Sequence, residues 1–231
     1  MVLPLADDNS ERVSPPVVNL LLIGINVLVF CAFQWVGTND DFTYALTLVP
    51  GEIVTGHSNG QTISPVYLTL LTSMFLHGGW MHLLGNMWFL YIFGDNVEDR
   101  LGHVRYLAYY LVCGVLASLA HVGTTYMFGQ DPNVPSLGAS GAISGVLGGY
   151  LILFPTNRVT MLLGRFITQA PAFVAIGLWF VFQIISSLGA LGEGARAGGV
   201  AYGAHIGGFV VGLVLIKVIE PRRNTNEPRT Q

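Results

Sequence analysis

The sequence predicts an all-α membrane protein that crosses the bilayer six times and keeps both termini in the cytoplasm. Hydrophobic residues make up 52% of the 231 residues and charged residues only 10%, whereas soluble domains are roughly 25% charged. Apolar runs recur along the chain, and a helix needs about 20 apolar residues to cross a bilayer. Basic residues are concentrated on alternate connections, which gives the expected orientation.

Each of six apolar runs is predicted to form one membrane-spanning helix. The first follows a polar, acidic segment and is too long for the apolar core of a cleaved signal peptide. The adjacent glycines Gly78 and Gly79 are expected to break the second apolar region, so that an interfacial piece, 66–77, precedes the second span. The predicted spans are 17–36, 80–93, 103–128, 138–154, 168–187 and 200–219.

The connections between these spans differ in character. The first, 37–64, is long and contains acidic but no basic residues. Residues 94–102 are predicted to form a charged turn, 155–167 a simple connection and 188–199 a glycine-rich loop. Pro171 is expected in the first turn of the fifth helix, where proline is tolerated.

The basic residues determine the predicted orientation. If the N-terminus lies inside, only Arg196 falls on an outer loop, and the other nine of the ten basic residues lie on the cytoplasmic side. Such an excess marks the inner side of a membrane protein. The chain is thus divided into a cytoplasmic N-terminal segment (1–16), a six-span domain (17–219) and a cytoplasmic tail (220–231). The nine are Arg12, Arg100, Arg105, Arg158, Arg165, Lys217, Arg222, Arg223 and Arg229.

Several kinds of partner and cofactor are not expected. The net charge of −3 and the scattered basic residues give no nucleic-acid-binding surface. Cys31 and Cys113 both lie in apolar runs, so no disulfide framework is implied. No H-E-x-x-H pattern occurs, and we expect neither a metal nor a cofactor.

Ser140 begins a glycine-rich apolar run, and a serine becomes a good nucleophile only when a neighbouring base takes its proton. The candidate base is His205, near the start of the sixth span. In the predicted topology the second, fourth and sixth spans all enter from the outer side, so their first turns place His82, Ser140 and His205 at a similar depth. Asn86 follows His82 by four residues and lies on the same helical face.

Small residues recur at four-residue spacing on the fourth and sixth spans. Glycines at this spacing allow two helix backbones to approach closely in lipid. We therefore expect Ser140 Oγ to lie within about 3 Å of a ring nitrogen of His205. The glycines are Gly141, Gly145 and Gly149 on the fourth span and Gly203, Gly207, Gly208 and Gly212 on the sixth.

At these residues the chain resembles the rhomboid family of intramembrane serine proteases, over about residues 17–219. The matching motifs are G-A-S-G at 138–141, A-H-x-G-G at 204–208, H-x-x-x-N at 82–86 and G-x-x-x-E-x-x-x-G at 94–102. The resemblance implies a six-helix rhomboid-like bundle that cleaves transmembrane segments of membrane-protein substrates near the outer leaflet, through an acyl-enzyme and without a metal.

The resemblance also implies a role for each site residue. Ser140 would be the nucleophile and His205 the general base. His82, Asn86 and the backbone N–H of Ser140 would form the oxyanion hole. With no carboxylate evident near His205, the pair would be a dyad, and packing would orient the imidazole.

Two positions depart from the pattern of many members. Ser144 stands where many have an aromatic residue beside the base, and 37–64 lacks their Trp-Arg pair. We hypothesise that Ser144 forms a hydrogen bond in or near the dyad, and a purely structural role is its alternative. The loop 188–199 is a candidate mobile cap over the site.

Other functions remain open at this point. A lone serine in a membrane helix usually bonds the carbonyl one turn back. A non-catalytic member of the same fold would bind membrane clients without cutting them, but it would be marked by loss of Ser140 or His205, and the sequence has both. A small transporter would carry paired ionisable groups near the midplane of the predicted spans, and none is expected there. The short termini, without a transit peptide, predict a multi-pass protein of a prokaryotic inner membrane.

Overall fold

The computed structural model describes residues 2–193 and 202–221, most of which are helical. The predicted cap from residue 194 onward, the start of the sixth span at 200–201 and the tail from residue 222 lie outside the described residues. The longer helices are α1 (Val17–Leu28, continued by a π-helical turn Val29–Phe33), α5 (Trp80–Leu101), α6 (His103–Met127), α7 (Ser140–Leu153), α8 (Ala172–Glu193) and α9 (Tyr202–Ile219).

Short helices occupy the region between α1 and α5. They are α2 (Asp40–Leu46), α3 (Pro50–Thr55) and α4 (Thr69–Thr72), and 3₁₀ turns at Val66–Leu68 and Ser73–Phe75 flank α4. By length and composition, α6 and α9 are apolar enough to cross a membrane, and Val17–Phe33, Val66–Phe75, Ser140–Leu153 and Ala172–Ile185 are shorter apolar helices among the residues described.

The prediction of an all-α fold was wrong in one respect, because the chain also forms an antiparallel sheet. Its strands are β1 (Val2–Asp7), β2 (Arg158–Leu163) and β3 (Phe166–Pro171), in the order β1-β2-β3. Residues 155–167, which were predicted to be a simple connection, therefore contain all of β2 and the first two residues of β3. Val159 and Met161 of β2 are buried on one face. Pro171 is the last residue of β3, and α8 begins at Ala172. Pro171 therefore precedes the fifth helix and does not lie in its first turn, as had been predicted.

The second predicted span was also too short, because α5 continues through the expected charged turn to Leu101. Glu98, in its last turn, is fully buried and accepts hydrogen bonds from the backbone N–H groups of Val18 (2.8 Å) and Asn19 (2.7 Å). These donors have no partner within α1 because they lie in its first turn. The acidic residue of the G-x-x-x-E-x-x-x-G motif thus holds α1 against α5.

Helix α7 lies at the centre of the bundle, and every residue from Gly141 to Tyr150 is buried. It packs against both α6 and α9, which also pack against each other. A Cβ atom on Gly212 would overlap the carbonyl oxygen of Gly145, and one on Gly145 would lie 2.5 Å from Cβ of Cys113. The close packing predicted from the glycine spacing is confirmed.

Candidate active site

Ser140 is the first residue of α7 and follows a turn whose backbone conformation favours glycine at position 138. Gly138 has a φ of +128°, which side chains rarely allow. A Cβ atom there would lie 2.8 Å from Nε2 of His82 and 3.7 Å from Oγ of Ser140. The Gly138 N–H donates to the carbonyl of Ser73 at 2.9 Å, which ties this turn to the segment before α5. The absence of a side chain at Gly138 therefore allows the turn before Ser140 to approach the His82 ring closely.

The Oγ atom of Ser140 lies 2.7 Å from Nε2 of His205, in the first turn of α9. This is a normal hydrogen-bond length for a hydroxyl donor. The structure brings the two predicted dyad residues together across the glycine contact between α7 and α9. Such a pair could pass a proton from the serine to the imidazole.

The other nitrogen of this imidazole has a partner that the sequence analysis missed. Nδ1 of His205 lies 2.8 Å from Oε1 of Gln183 on α8. Trp179, one turn earlier on α8, has its ring centroid 6.5 Å from that of His205, and the ring of Tyr202 is 6.3 Å away. An amide within an apolar helix was the available signal, because polar side chains in membrane helices bond neighbouring helices.

His82 and Asn86 lie one turn apart on α5, as predicted. The backbone N–H of Gly78 donates to Nδ1 of His82 at 3.4 Å, so Nε2 carries the proton of the neutral ring and faces Gly138. Nδ2 of Asn86 is buried and has no hydrogen-bond partner within the described chain. His82 and Asn86 thus each provide a side-chain N–H donor on one face of α5, and His82 lies beside the turn before Ser140.

His77 lies directly behind His82. The two ring centroids are 5.1 Å apart, and neither ring nitrogen of His77 has a partner among the residues described. Its backbone is held by the side chain of Gln34, which accepts from the His77 N–H at 2.9 Å and donates to the His77 carbonyl at 3.0 Å. The Gln34 side chain therefore connects the end of the π-helical turn to the backbone of His77, next to His82.

Ser144 forms no hydrogen bond with the imidazole of His205. Its hydroxyl donates to the carbonyl oxygen of Ser140 at 2.7 Å, four residues back along α7. This is the ordinary local bond of a serine in a membrane helix. Of the two interpretations of Ser144, the structural one agrees with this contact.

The loop 37–64 is attached to the site without the Trp-Arg pair. Leu48 and Ser136 exchange backbone hydrogen bonds of 3.0 and 2.7 Å, and the Thr47 hydroxyl donates to the Ser136 carbonyl at 2.8 Å. Gly51 N–H donates to the carbonyl of Pro132 at 2.8 Å. The loop is thereby joined to the segment that leads into the Gly138 turn.

A small cavity adjoins Ser140, and residues of α6 and α7 line part of it. Its polar side chains besides Ser140 are Ser118 and His121 of α6 together with Ser73 and Ser136. A site with several polar partners can hold a water molecule. No group of three or more His, Cys, Asp or Glu side chains that could hold a metal ion occurs within residues 2–193 and 202–221.

The family profile and the similar proteins described below all indicate the same family. A profile described as Rhomboid domain matches residues 65–222. The chain is 29% identical over 210 residues to "Rhomboid protein 1, mitochondrial" of Saccharomyces cerevisiae, which covers 87% of this chain and 54% of the relative. It is 30% identical over 198 residues to "Rhomboid protease GluP" of Bacillus subtilis, with 86% and 34% covered. "Rhomboid-like protein 11, chloroplastic" of Arabidopsis thaliana is 30% identical over 158 residues, with 66% and 52% covered.

These relatives correct the predicted location. The chain spans only about half or less of their length, so its short termini are no basis for assigning a compartment. The prediction of a prokaryotic inner membrane was wrong, because several relatives, from yeast, Arabidopsis and human, are named mitochondrial or chloroplastic. The domain match covers most of the chain, and we conclude that this protein belongs to the rhomboid family of helical membrane proteins, whose members are typically intramembrane serine proteases.

Proposed function

We propose that this protein is an intramembrane serine endopeptidase that cleaves transmembrane segments of membrane-protein substrates near the outer leaflet. The observation that carries the proposal is the 2.7 Å separation of Ser140 Oγ and His205 Nε2. Family membership supports it, since a relative from Bacillus subtilis is named a rhomboid protease. No cofactor or metal takes part in the proposed reaction.

In the proposed mechanism, Ser140 is the nucleophile and His205 the general base. Oγ attacks the scissile carbonyl carbon while its proton passes to Nε2. The C–N bond then breaks, and Nε2 returns the proton to the departing amine, which leaves an ester on Ser140. A water molecule attacks this ester and gives its proton to Nε2. Oγ then leaves with that proton, and the free carboxylic acid is released.

The charge that develops on the carbonyl oxygen is stabilised by His82, Asn86 and the Ser140 N–H. Nε2 of His82 carries a proton beside the Gly138 turn, and Nδ2 of Asn86 is a buried donor without a partner in the described chain. The Ser140 N–H lies in the first turn of α7, where unpaired N–H groups favour negative charge. Removing one such donor typically costs about 2.7–4 kcal/mol of transition-state stabilisation.

We further propose six spans with both termini in the cytoplasm, formed by α1 with its π-helical turn, α5, α6, α7, α8 and α9. Support comes from the basic residues, nine of ten of which then lie inside. The proposed divisions are the segment 1–16, the six-span catalytic domain 17–219 and the tail 220–231.

The length of α7 indicates the depth of cleavage in this arrangement. Its 14 residues span about 21 Å, less than the roughly 30 Å of the hydrocarbon core. If α7 ends at the inner interface, Ser140 lies several ångströms below the outer surface. The polar cavity beside Ser140 is then a place for the water that the second half of the reaction needs.

The test is cleavage of a single-span substrate by the purified full chain in detergent and in liposomes. We expect Ser140→Ala and His205→Ala to abolish cleavage, while Ser10→Ala and His57→Ala, which change exposed residues of the same types, leave it intact. A wild-type protein that binds several substrates and cuts none would contradict the proposal and favour a client-binding role. Cleavage that survives Ser140→Ala would exclude this serine as the nucleophile.

A further inference from the structure

The imidazole of His205 has hydrogen-bonding partners at both ring nitrogens. Nε2 faces Ser140 at 2.7 Å, and Nδ1 faces Oε1 of Gln183 at 2.8 Å. Gln183 lies on α8, whereas Ser140 lies on α7 and His205 on α9. The three side chains thus form a line of hydrogen bonds across three helices.

The chemistry of the amide determines where the proton of the ring lies. An amide oxygen can only accept a hydrogen bond, so Nδ1 of His205 must be the donor. A neutral imidazole carries one N–H, and Nε2 is therefore left with its lone pair toward the Ser140 hydroxyl. This is the only neutral tautomer that can take the proton of the serine.

The surroundings of Gln183 favour a specific role over a chance contact. Its neighbours on α8 are apolar, with Val181, Phe182, Ile184 and Ile185 on either side along the chain. A polar side chain in an apolar membrane helix is costly unless it finds a partner on another helix. Trp179, one turn earlier, also approaches the His205 ring, so this face of α8 is directed at the imidazole.

We infer that Gln183 is a positioning residue that orients His205 and selects its Nδ1–H tautomer. It is the third member of a hydrogen-bonded line, Ser140–His205–Gln183, in which protons pass only between Ser140 and His205. This inference rests on the proposed function. Gln183 takes the place of the aromatic support that the family pattern puts at Ser144. Because the amide is uncharged, it holds the ring without adding a charge to the site.

The first test is steady-state cleavage by Gln183→Leu and Gln183→Glu. Gln183→Leu keeps much of the volume but has no acceptor, and we expect kcat to fall about 10- to 100-fold with KM nearly unchanged, since a histidine in the wrong tautomer cannot act as base. Gln183→Glu retains an acceptor oxygen whether or not it is ionised, and should recover most of the loss. Gln169→Leu makes the same chemical change on exposed β3 and should behave as wild type.

The second test observes the tautomer directly and needs no activity. In protein labelled with ¹⁵N-histidine, the signals of His205 are assigned by their loss in His205→Ala. We expect the Nδ1–H form in wild type and a mixture of tautomers in Gln183→Leu. Thermal unfolding of each variant shows whether a lost activity reflects lost folding.

The outcomes separate this inference from the proposed function. Wild-type kcat in Gln183→Leu, an Nε2–H tautomer in wild type, or a Gln183→Glu as impaired as folded Gln183→Leu would overturn the positioning role. If Ser140→Ala also retains cleavage, the proposed mechanism with Ser140 as the nucleophile is wrong, and if the wild type cuts no substrate the proposed function itself is wrong. If Ser140→Ala is inactive and Gln183→Leu is not, only the role of Gln183 is lost.

Discussion

Gly208 of α9 packs against the carbonyl oxygen of Gly141 on α7 so closely that a Cβ atom on Gly208 would overlap it. Gly141 follows Ser140, and Gly208 is three residues beyond His205, so this backbone contact lies directly beside the candidate dyad. The separation between α7 and α9 at this point sets the distance between Ser140 and His205. Glycine at position 208 is therefore a condition for the 2.7 Å contact between Ser140 and His205.

Replacing Gly208 by alanine should therefore impair catalysis as well as stability. The added methyl group forces α9 away from α7, and overpacking of this kind costs about 1–3 kcal/mol. Because a misplacement of about 1 Å can cost about 100-fold in rate, we expect kcat to fall at least about tenfold. Gly24→Ala, at a position with open space around its Cβ, is the control. Equal activity of the two variants in the cleavage assay would contradict this account.

Removing the amide of Asn86 should slow the chemical step and leave substrate binding largely intact. In the proposed site this donor acts on charge that exists only in the transition state, so Asn86→Ala should lower kcat by about 10²–10³ with little change in KM. Asn133→Ala, in the exposed loop before α7, is the matched control. A rise in KM with unchanged kcat would assign Asn86 to substrate binding instead.

Replacing Ser144 by alanine should have a small effect. Its hydroxyl donates to the Ser140 carbonyl and not to the imidazole, and a single hydrogen bond contributes about 1 kcal/mol to stability. We expect a slightly lower melting temperature and activity within about fivefold of wild type. A loss of about 100-fold in a folded Ser144→Ala protein would restore the hypothesis that this serine acts in the dyad.

The docking of β1 should depend on pH through Asp7, which precedes the first helix. Burial raises the pKa of Asp7 from 3.8 to about 6, the negative charge of Asp95 adds to the rise, and hydrogen bonds from Tyr150 and Asn96 partly oppose it. The folded state thus favours the protonated carboxyl. The stability from this group is complete below pH 3.8 and is lost as the pH rises through about 6. The rise in pKa corresponds to about 3 kcal/mol between these limits.

Hydrogen exchange of the β1 amides between pH 5 and 8, corrected for intrinsic rates, measures this effect. We expect weaker protection at the higher pH in wild type. Asp7→Asn should remove the dependence, because its amide oxygen can still accept from Tyr150 and Asn96 but does not ionise. Asp8→Asn, at an exposed neighbour, should retain it. An unchanged pH dependence in Asp7→Asn would assign the effect to another group.

Much of this site could be predicted without coordinates. The predicted third span, 103–128, differs by one residue from α6, His103–Met127. The expected approach of Ser140 to His205 agrees with the observed distance, because the glycine spacing on α7 and α9 specifies which faces meet. Hydrophobic length and glycine spacing are local properties of the chain, and they can be read directly from the sequence.

The sheet could not be predicted in this way. Val2 pairs with Leu163, and Asp7 with Val159, so β1 finds its partner about 150 residues later. The hydrogen bonds of an edge strand depend on which segment lies beside it. In addition, β1 contains Pro4, and a proline argues against a strand when only the sequence is considered. The helical continuation of α5 to Leu101 likewise depends on α1, whose first N–H groups are bonded by the buried Glu98.

Motif spacing and apolar length are properties of single segments, and they were enough to predict the family, the main helices and the residues that bear the proposed chemistry. Three further features depend on the folded arrangement of the chain: Gln183 bonds His205, Ser144 bonds the Ser140 carbonyl, and the N-terminal strand joins β2. Two of these contacts join segments that are distant in the sequence, and the third is the partner that the Ser144 hydroxyl takes within α7. They follow from how α7, α8 and α9 are rotated and packed against one another, and side-chain packing across helices sets that arrangement.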